Sequence, residues 1–452
     1  MINEFKAILS ESVTFQKILL EYIDQKGEKE NEEKYNNLID FINKNEFRIN
    51  KSKFMELLRI LSQLAGYHFR GNDLLIKINK ILQEIFKVFN SHIKDVSELF
   101  NIFKYNKTIL LFLLQNIAQI SIGPNCKELL LFHILNSEDK ELIQFFYPEI
   151  RDLSNSAAEA EQTTETEEST TFDYSKFKDL FAQKVQEFKL EKFIAENDQN
   201  LDFFNERRNE GENEAKVAQL IRNDNLDEFI EYVNSNKIKL NSKIRSDSPF
   251  ETNTYLFDRE PILLEYSAFF GSLKIFNHLI QNIKKDEIKP KILSYSVHGC
   301  NYEIIHQLEE LFGLSKDATK YLPNLKDCFL ESIRCHHNEI ASYIQSTYLK
   351  DVALKYIETS ISACNFILIE NAFNLESNRH LLEDKKEIQN LFNCFCANGY
   401  INFVELLLNQ PDLIDINAKD SIRFKKFFFY FSNQIDGIFF IDINLILLFI
   451  LP

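Results

Sequence analysis

Three groups of histidine and cysteine lie close enough in sequence to suggest metal or thiol chemistry: His298, Cys300 and His306; Cys328, Cys335, His336 and His337; and Cys394 with Cys396. A zinc centre needs four nitrogen or sulfur ligands converging tetrahedrally. No Cys-x-x-Cys pair is present to start one. Cys394 and Cys396 fall where a helix places small packing residues, and Cys300 and His336 fall at breaks between helices. These groups read as packing and turn residues, and no metal is expected. The motifs GxGxxG, GxxxxGK[ST], HExxH and GxSxG are all missing, so no nucleotide cradle, zinc-protease helix or nucleophile elbow is encoded. The many Asp and Glu fall on helix exteriors, where water solvates them. Neither catalysis nor a cofactor is expected.

Composition narrows the remaining classes. The formal net charge of the 452 residues is −16, opposite in sign to the footprint that displaces counterions from nucleic acid. Ten Gly and eight Pro are few for this length, and both residues interrupt helices. Hydrophobic residues make up 45% of the chain, enough for a large core. Seven cysteines, an odd number, do not form a disulfide framework. The start Met-Ile-Asn-Glu-Phe-Lys lacks a basic segment followed by an apolar run. A reducing, cytoplasmic setting is expected.

The elements follow from periodicity. Residues 1–150 read as consecutive helices forming an N-terminal domain; Phe5, Ile8, Leu9, Val13, Phe15, Ile18, Leu19 and Tyr22 recur every three to four positions, as on one face of a helix. Residues 151–171 read as an acidic, flexible linker. From Ser154 to Thr171 there is no aromatic and no large aliphatic residue, so the stretch cannot bury enough surface to offset its ordering entropy. A phosphorylated switch at Thr164 or Ser169 is the functional alternative. Residues 172–212 read as a charged helical connector. Residues 213–420 then repeat. Aligned on the residue after each inter-helix turn, Leu226, Leu273, Tyr302, Asn338, Phe366 and Ile401 are spaced 47, 29, 36, 28 and 35 apart, scattered around the ~33 of an ankyrin repeat. The longer first spacing leaves room for an insertion around Ser242–Tyr255.

The stretch Leu391–Asp420 is a complete unit of this kind, with small residues at Cys394 and Cys396, a turn at Gly399, and Phe403, Val404, Leu407 and Leu408 at helical spacing. Other segments carry a wider likeness: Arg222-Asn-Asp-Asn-Leu-Asp-Glu-Phe-Ile-Glu-Tyr-Val, Leu264-Glu-Tyr-Ser-Ala-Phe-Phe-Gly, Val297-His-Gly, Glu331-Ser-Ile-Arg-Cys-His-His-Asn-Glu-Ile-Ala and, earlier, Leu99-Phe-Asn-Ile-Phe-Lys-Tyr-Asn. In these the chain resembles a large group of protist ankyrin-repeat proteins, with a helical N-terminal region and a degenerate ankyrin block of unassigned function. The resemblance implies an ankyrin solenoid of about six irregular repeats after a helical N-terminal domain, within an all-α fold. It implies no reaction.

In such a repeat the two residues before the turn end the first helix on the concave face. Here that row contains Arg222, Asn223, Phe269, Phe270, His298, Arg334, Ser362 and Asn398. Phe269 and Phe270 read either as an aromatic anchor for a partner or as cover for the insertion. The function expected is a non-enzymatic scaffold or adaptor that binds a protein partner and no nucleic acid. The alternatives are a membrane-tethered protein and a substrate adaptor for a modifying enzyme. The tether would use residues 421–452. There the repeat register fails after Asp420, and Ser421-Ile-Arg-Phe-Lys-Lys-Phe-Phe-Phe-Tyr-Phe follows, as a translated AT-rich intron or shifted frame would read. Gly437–Leu451 is shorter than the ~20 residues of a spanning helix.

Overall fold

A computed structural model of the chain describes residues 2–45, 47, 50–68, 73–89, 96–120, 125–160, 172–257, 259–349, 354–374, 382–410 and 412–415. The C-terminal tail at 421–452 lies outside the described residues, as do residues 161–171 of the acidic stretch. Among the described residues the fold is all-α. The helices are α1 (Ile2–Ile23), α2 (Glu28–Lys44), α3 (Lys51–Tyr67), α4 (Leu74–Phe89), α5 (Val96–Phe103), α6 (Lys107–Ile120), α7 (Cys126–Leu135), α8 (Lys140–Phe145), α9 (Tyr147–Ala160), α10 (Tyr174–Phe188), α11 (Glu191–Asp198), α12 (Leu201–Glu210), α13 (Lys216–Arg222), α14 (Leu226–Ser235), α15 (Leu263–Phe269), α16 (Leu273–Asn282), α17 (Ile292–Gly299), α18 (Tyr302–Phe312), α19 (Leu322–Arg334), α20 (Asn338–Ile344), α21 (Leu354–Ser362), α22 (Phe366–Asn374), α23 (Lys385–Asn398) and α24 (Ile401–Leu408). No described helix is long and apolar enough to cross a membrane.

From α13 onward the helices come in pairs joined by tight turns. All six residues aligned in the sequence, Leu226, Leu273, Tyr302, Asn338, Phe366 and Ile401, are the first residues of second helices. Two positions before each stands a left-handed residue: Asp224, Gly271, Cys300, His336, Cys364 and Gly399, with φ between 46° and 71°. Only two of the six are glycine, so four turns carry the ~1–2 kcal/mol that a side chain costs in this region. The turn amides close back on the first helix, as in Asn225 N–H to Leu220 O (3.1 Å), Ser272 to Ser267 (2.9 Å), His337 to Ser332 (3.0 Å), Asn365 to Ser360 (2.8 Å) and Tyr400 to Phe395 (3.0 Å). This six-to-one bond is the Schellman closure of a helix C-terminus.

The chain forms two compact units, one within Met1–Phe41 and Val352–Pro452, the other Ile42–Asp351. In the first unit α1 lies on α22 and α24. Phe5, 1% exposed, meets Phe373, Phe395 and Phe403 with ring centroids 5.2, 6.0 and 5.2 Å away. Buried Gln16 donates to Cys364 O (3.1 Å) and accepts from Ile367 N–H (3.0 Å). The division therefore differs from the 1–150 domain read from the sequence. The apolar stripe of α1 is real, but it is buried against helices more than 350 residues away, and periodicity says which face is buried, not against what.

In the second unit the first helices stack in the order α13, α15, α17, α19, and the second helices α14, α16, α18 stack beside them. Successive turns are tied together: Ser272 Oγ donates to Ile221 O (2.6 Å), Asn301 Nδ2 donates to Gly271 O (3.1 Å), and the Asp224 carboxylate accepts from the Ile275 and Lys274 amides (3.0 and 3.1 Å). The approach is close. A Cβ on Gly299 would come within 2.2 Å of Ala268 O and 2.8 Å of Gly271 N. The acidic stretch also begins differently from the sequence reading: α9 continues through Ser154 to Ala160. Ser154 is buried, and the Ala-Ala-Glu-Ala that follows propagates a helix already started.

Candidate functional site

The eight residues of the row separate by burial. Asn223 and Ser362 are exposed, Arg222, Phe270, Arg334 and Asn398 are half-buried, and Phe269 and His298 are buried. The half-buried ones are partly engaged within the chain. Arg222 Nη1 donates to Asn213 O (2.9 Å) and Tyr266 Oη (3.0 Å), and Asn398 Nδ2 donates to Cys394 O (2.8 Å). Phe269 is not an open aromatic anchor. The insertion covers it: Tyr255 stacks on it at 5.9 Å with the rings 10° from parallel. Of the two sequence readings of Phe269 and Phe270, cover for the insertion describes Phe269, and Phe270 alone keeps a partly open face.

The covering segment is Pro249–Phe257. It is buried although much of it is polar, with Glu251, Thr252 and Asn253 all at 5% exposure or less. Several of its polar groups are met from the side of the N-terminal helices, while Thr254 Oγ1 is buried without a hydrogen-bond partner. Lys107, at the start of α6, donates through Nζ to Pro249 O and Glu251 O, each at 3.1 Å. Thr252 Oγ1 donates to Gly211 O (2.6 Å) and Asn253 Nδ2 to Glu212 Oε2 (2.7 Å), just after α12. Glu251 Oε1 accepts from the Thr252 and Asn253 amides (3.0 and 2.8 Å). The Lys107 ammonium also lies 5.1 Å from the Phe257 ring centroid, and burial holds its pKa below the usual lysine value.

The other side of the segment meets the ends of α15, α17 and α19 through rings. His298, near the end of α17, sits between Tyr255 (4.1 Å) and Phe269 (4.8 Å). Cys335 Sγ is 3.2 Å from His298 Nδ1, and Glu331 Oε2 is 3.4 Å from Nε2 in a long contact that lacks hydrogen-bond alignment. Glu331 also pairs with Arg334. From α3 comes His68, whose Nδ1–H donates to Cys335 O (2.6 Å) and whose ring lies 5.2 Å from that of His337. Since a carbonyl only accepts, that bond fixes the His68 tautomer.

A thiol, an imidazole and a carboxylate in line are the parts of a thiol nucleophile with its base and orienting acid. Their environment sets them to another task. Cys335 is 0% exposed, and burial, followed by the Glu331 charge, pushes its thiol well above the usual value. Burial lowers the pKa of His298 against the opposing pull of Glu331. Burial also opposes ionisation of Glu331, yet His298 and Arg334 together hold its pKa below the usual value. The thiol is therefore protonated and the imidazole neutral, with the thiol positioned to donate to Nδ1. The adjoining hollow, between Gly66, His68, Asn253, Phe270 and His298, measures 10 Å³, about the space of one water. No substrate carbonyl fits there. Among the described residues no three His, Cys, Asp or Glu are placed to hold a metal. His306 is exposed beside Glu309 (2.8 Å), away from the buried group, and Cys394 and Cys396 are buried within the first helix of a pair.

Sequence reasoning did not single out His68, Lys107, Tyr255 or Glu331. A signal existed for part of this group: Pro249-Phe-Glu-Thr-Asn sits inside the insertion and mixes an aromatic with polar residues, unlike a solvated loop. His68 carries no such mark, because its partner is Cys335, 267 positions away. Compared with known proteins, the chain matches no family model, no curated protein and no solved structure.

Proposed function

We propose that this chain is a non-enzymatic protein-binding module built on ankyrin-type helix pairs, and that it engages its partner along the ends of the first helices. The observation that carries the reading is the repeated turn: six pairs, each with a left-handed residue two positions before the second helix. Within each unit such a turn sets successive first helices side by side and brings their ends together. Repeat arrays of this kind offer extended surfaces in place of a cleft. The accessible positions are Arg222, Asn223, Phe270 and Arg334 in the unit Ile42–Asp351, and Ser362 and Asn398 in the other. Asn, Arg and an aromatic are residue types that serve interfaces, and Phe270 with Arg222 6.0 Å from its ring centroid is the strongest anchor among them. The protonated, fully covered Cys335 supports the non-enzymatic side of the reading.

The test is quantitative affinity purification from the native cells with the full chain and with an Asn223→Arg, Ser362→Arg variant. Both positions are exposed, so the fold is retained. Proteins that bind the wild type and are lost by tenfold or more with the variant, while its far-ultraviolet circular dichroism is unchanged, support the row as the interface. An identical set of bound proteins contradicts it.

A further inference from the structure

We infer that the seam between the N-terminal helices and the ends of α15, α17 and α19, within the unit Ile42–Asp351, is an acid-released joint closed by imidazoles. Four histidines, His68, His298, His336 and His337, are buried there, each 9% exposed or less. The polar clamps of Pro249–Phe257 go to α6 and to Gly211–Glu212. Its ring contacts across the seam run from Tyr255 to Phe269, His298 and Tyr295. The second bridge across the seam, His68 to Cys335 O and to the His337 ring, is imidazole as well. Pro249–Phe257 therefore travels with the N-terminal helices, and the ring-lined face is where the two parts separate.

The charged and titratable groups facing these rings decide the direction. His298 is faced by Tyr255 and Arg259 from the insertion, and by Glu331, Arg334 and Cys335 from α19 and its turn. His337 is faced by His68 from the end of α3, by its neighbour His336 and by His298. Among the described residues facing these rings, Glu331, already shared with Arg334, is the acid, against Arg259, Arg334 and four imidazoles. His337 Nε2 is buried without a hydrogen-bond partner, so a proton placed there has nowhere to be shared. Burial comes first for both and holds His298 and His337 below the ordinary histidine value; at His298 the Arg259 and Arg334 charges add to it against the pull of Glu331, and at His337 the neighbouring imidazoles add to it against a backbone hydrogen bond with His298. The sign is fixed: the closed form binds fewer protons than the open form. Closure is complete above about pH 6.5 and is lost as pH falls below it. With two such imidazoles the open-to-closed ratio rises by up to about 100-fold per pH unit below that point.

Opening uncovers Phe269 and His298 and adds them to the accessible row. Only that consequence rests on the partner-binding reading. The joint is tested without a partner. Full-length protein is treated with 4,4′-dithiodipyridine, which reacts at acidic pH, and labelling is read peptide by peptide from pH 7.5 to 5.0. Cys335, 0% exposed, is the reporter, and Cys396, 0% exposed in the other unit, is the reference. Cys335 labelling should rise at least tenfold between pH 6.5 and 5.5 while Cys396 stays protected and the helical circular dichroism signal holds. The His298→Phe, His337→Phe double variant keeps two rings and cannot take up the protons; its rise should be threefold or less. If that variant does not fold, hydrogen exchange of wild-type Gly66–His68 and Asn253–Leu256, corrected for intrinsic rates, supplies the same readout. The inference is overturned by flat Cys335 labelling, by a rise that only tracks Cys396 and loss of helix, or by an undiminished rise in the double variant.

Discussion

Phe5→Ala is the sharpest perturbation of the finding that α1 belongs with the C-terminal helices. The Phe5 ring is 1% exposed and packs on Phe373, Phe395 and Phe403 at 5.2, 6.0 and 5.2 Å. Truncating a buried Phe to Ala costs about 3–5 kcal/mol when the cavity does not collapse. Phe373, Phe395 and Phe403 belong to three different helices and leave little room for collapse, so a loss within that range is expected. At ~1.4 kcal/mol per decade this is roughly a 10²–10³-fold change in opening equilibrium or more. Two compact units in one chain make a single global unfolding curve ambiguous. The assay is therefore peptide-resolved hydrogen exchange. Amides of α22 and α24 should lose about two to three decades of protection, while α15, α17 and α19 keep theirs. A loss under tenfold in α22 and α24, or an equal loss in both units, would refute the packing argument.

Other perturbations discriminate at single residues. Gly299→Ala places a Cβ 2.2 Å from Ala268 O; since backbone atoms cannot step aside, a loss of ~3 kcal/mol or more is expected, read as lost protection in α15 and α17. Lys107→Met removes the donor shared by Pro249 O and Glu251 O. Stranding buried acceptors costs about 1–3 kcal/mol each, partly offset by no longer burying an ammonium, so faster exchange in Thr252–Leu256 is expected; unchanged exchange there contradicts the clamp. Phe270→Ala should weaken partner binding by more than ~1 kcal/mol, with a stability change well below the ~3 kcal/mol of a fully buried ring; a stability loss of that size with normal binding removes Phe270 from the interface. Hydrogen-exchange stability of α15, α17 and α19, corrected for intrinsic rates, should fall as pH drops from about 6.5, because burial depresses His298 and His337 in the folded state. A stability there that is flat down to pH 5 would show that these rings are not held neutral.

The second helices were legible residue by residue, since a turn followed by apolar positions every three to four residues marks a helix start whatever it packs on. The strained turns explain why glycine was a poor guide: Asp224, Cys300, His336 and Cys364 hold the conformation that Gly271 and Gly399 adopt freely. Dense charge does not forbid a helix: α2 begins at Glu28, inside the charged stretch Gly27–Lys34, and Glu and Lys propagate helices well. What periodicity could not supply was pairing at a distance. The place of α1, the clamp of Lys107 and the bridge from His68 each join residues more than 140 positions apart. For the same reason the row was legible as a set of positions, but not which of them the chain itself covers. Phe269 and His298 end helices as expected, and Tyr255 from the insertion packs over both of them.

Photo-crosslinking in the native cells shows whether the ends of the first helices meet a protein partner. With a crosslinking amino acid placed singly at Asn223, exposed, and at Phe270, half-buried, both in the row of the unit Ile42–Asp351, and at Glu303, exposed on the second helix α18, as the comparison, a discrete crosslinked protein is expected from Asn223 and Phe270 and none of that species from Glu303. The same species from all three positions, or from Glu303 alone, would mean that a partner does not bind at the helix ends.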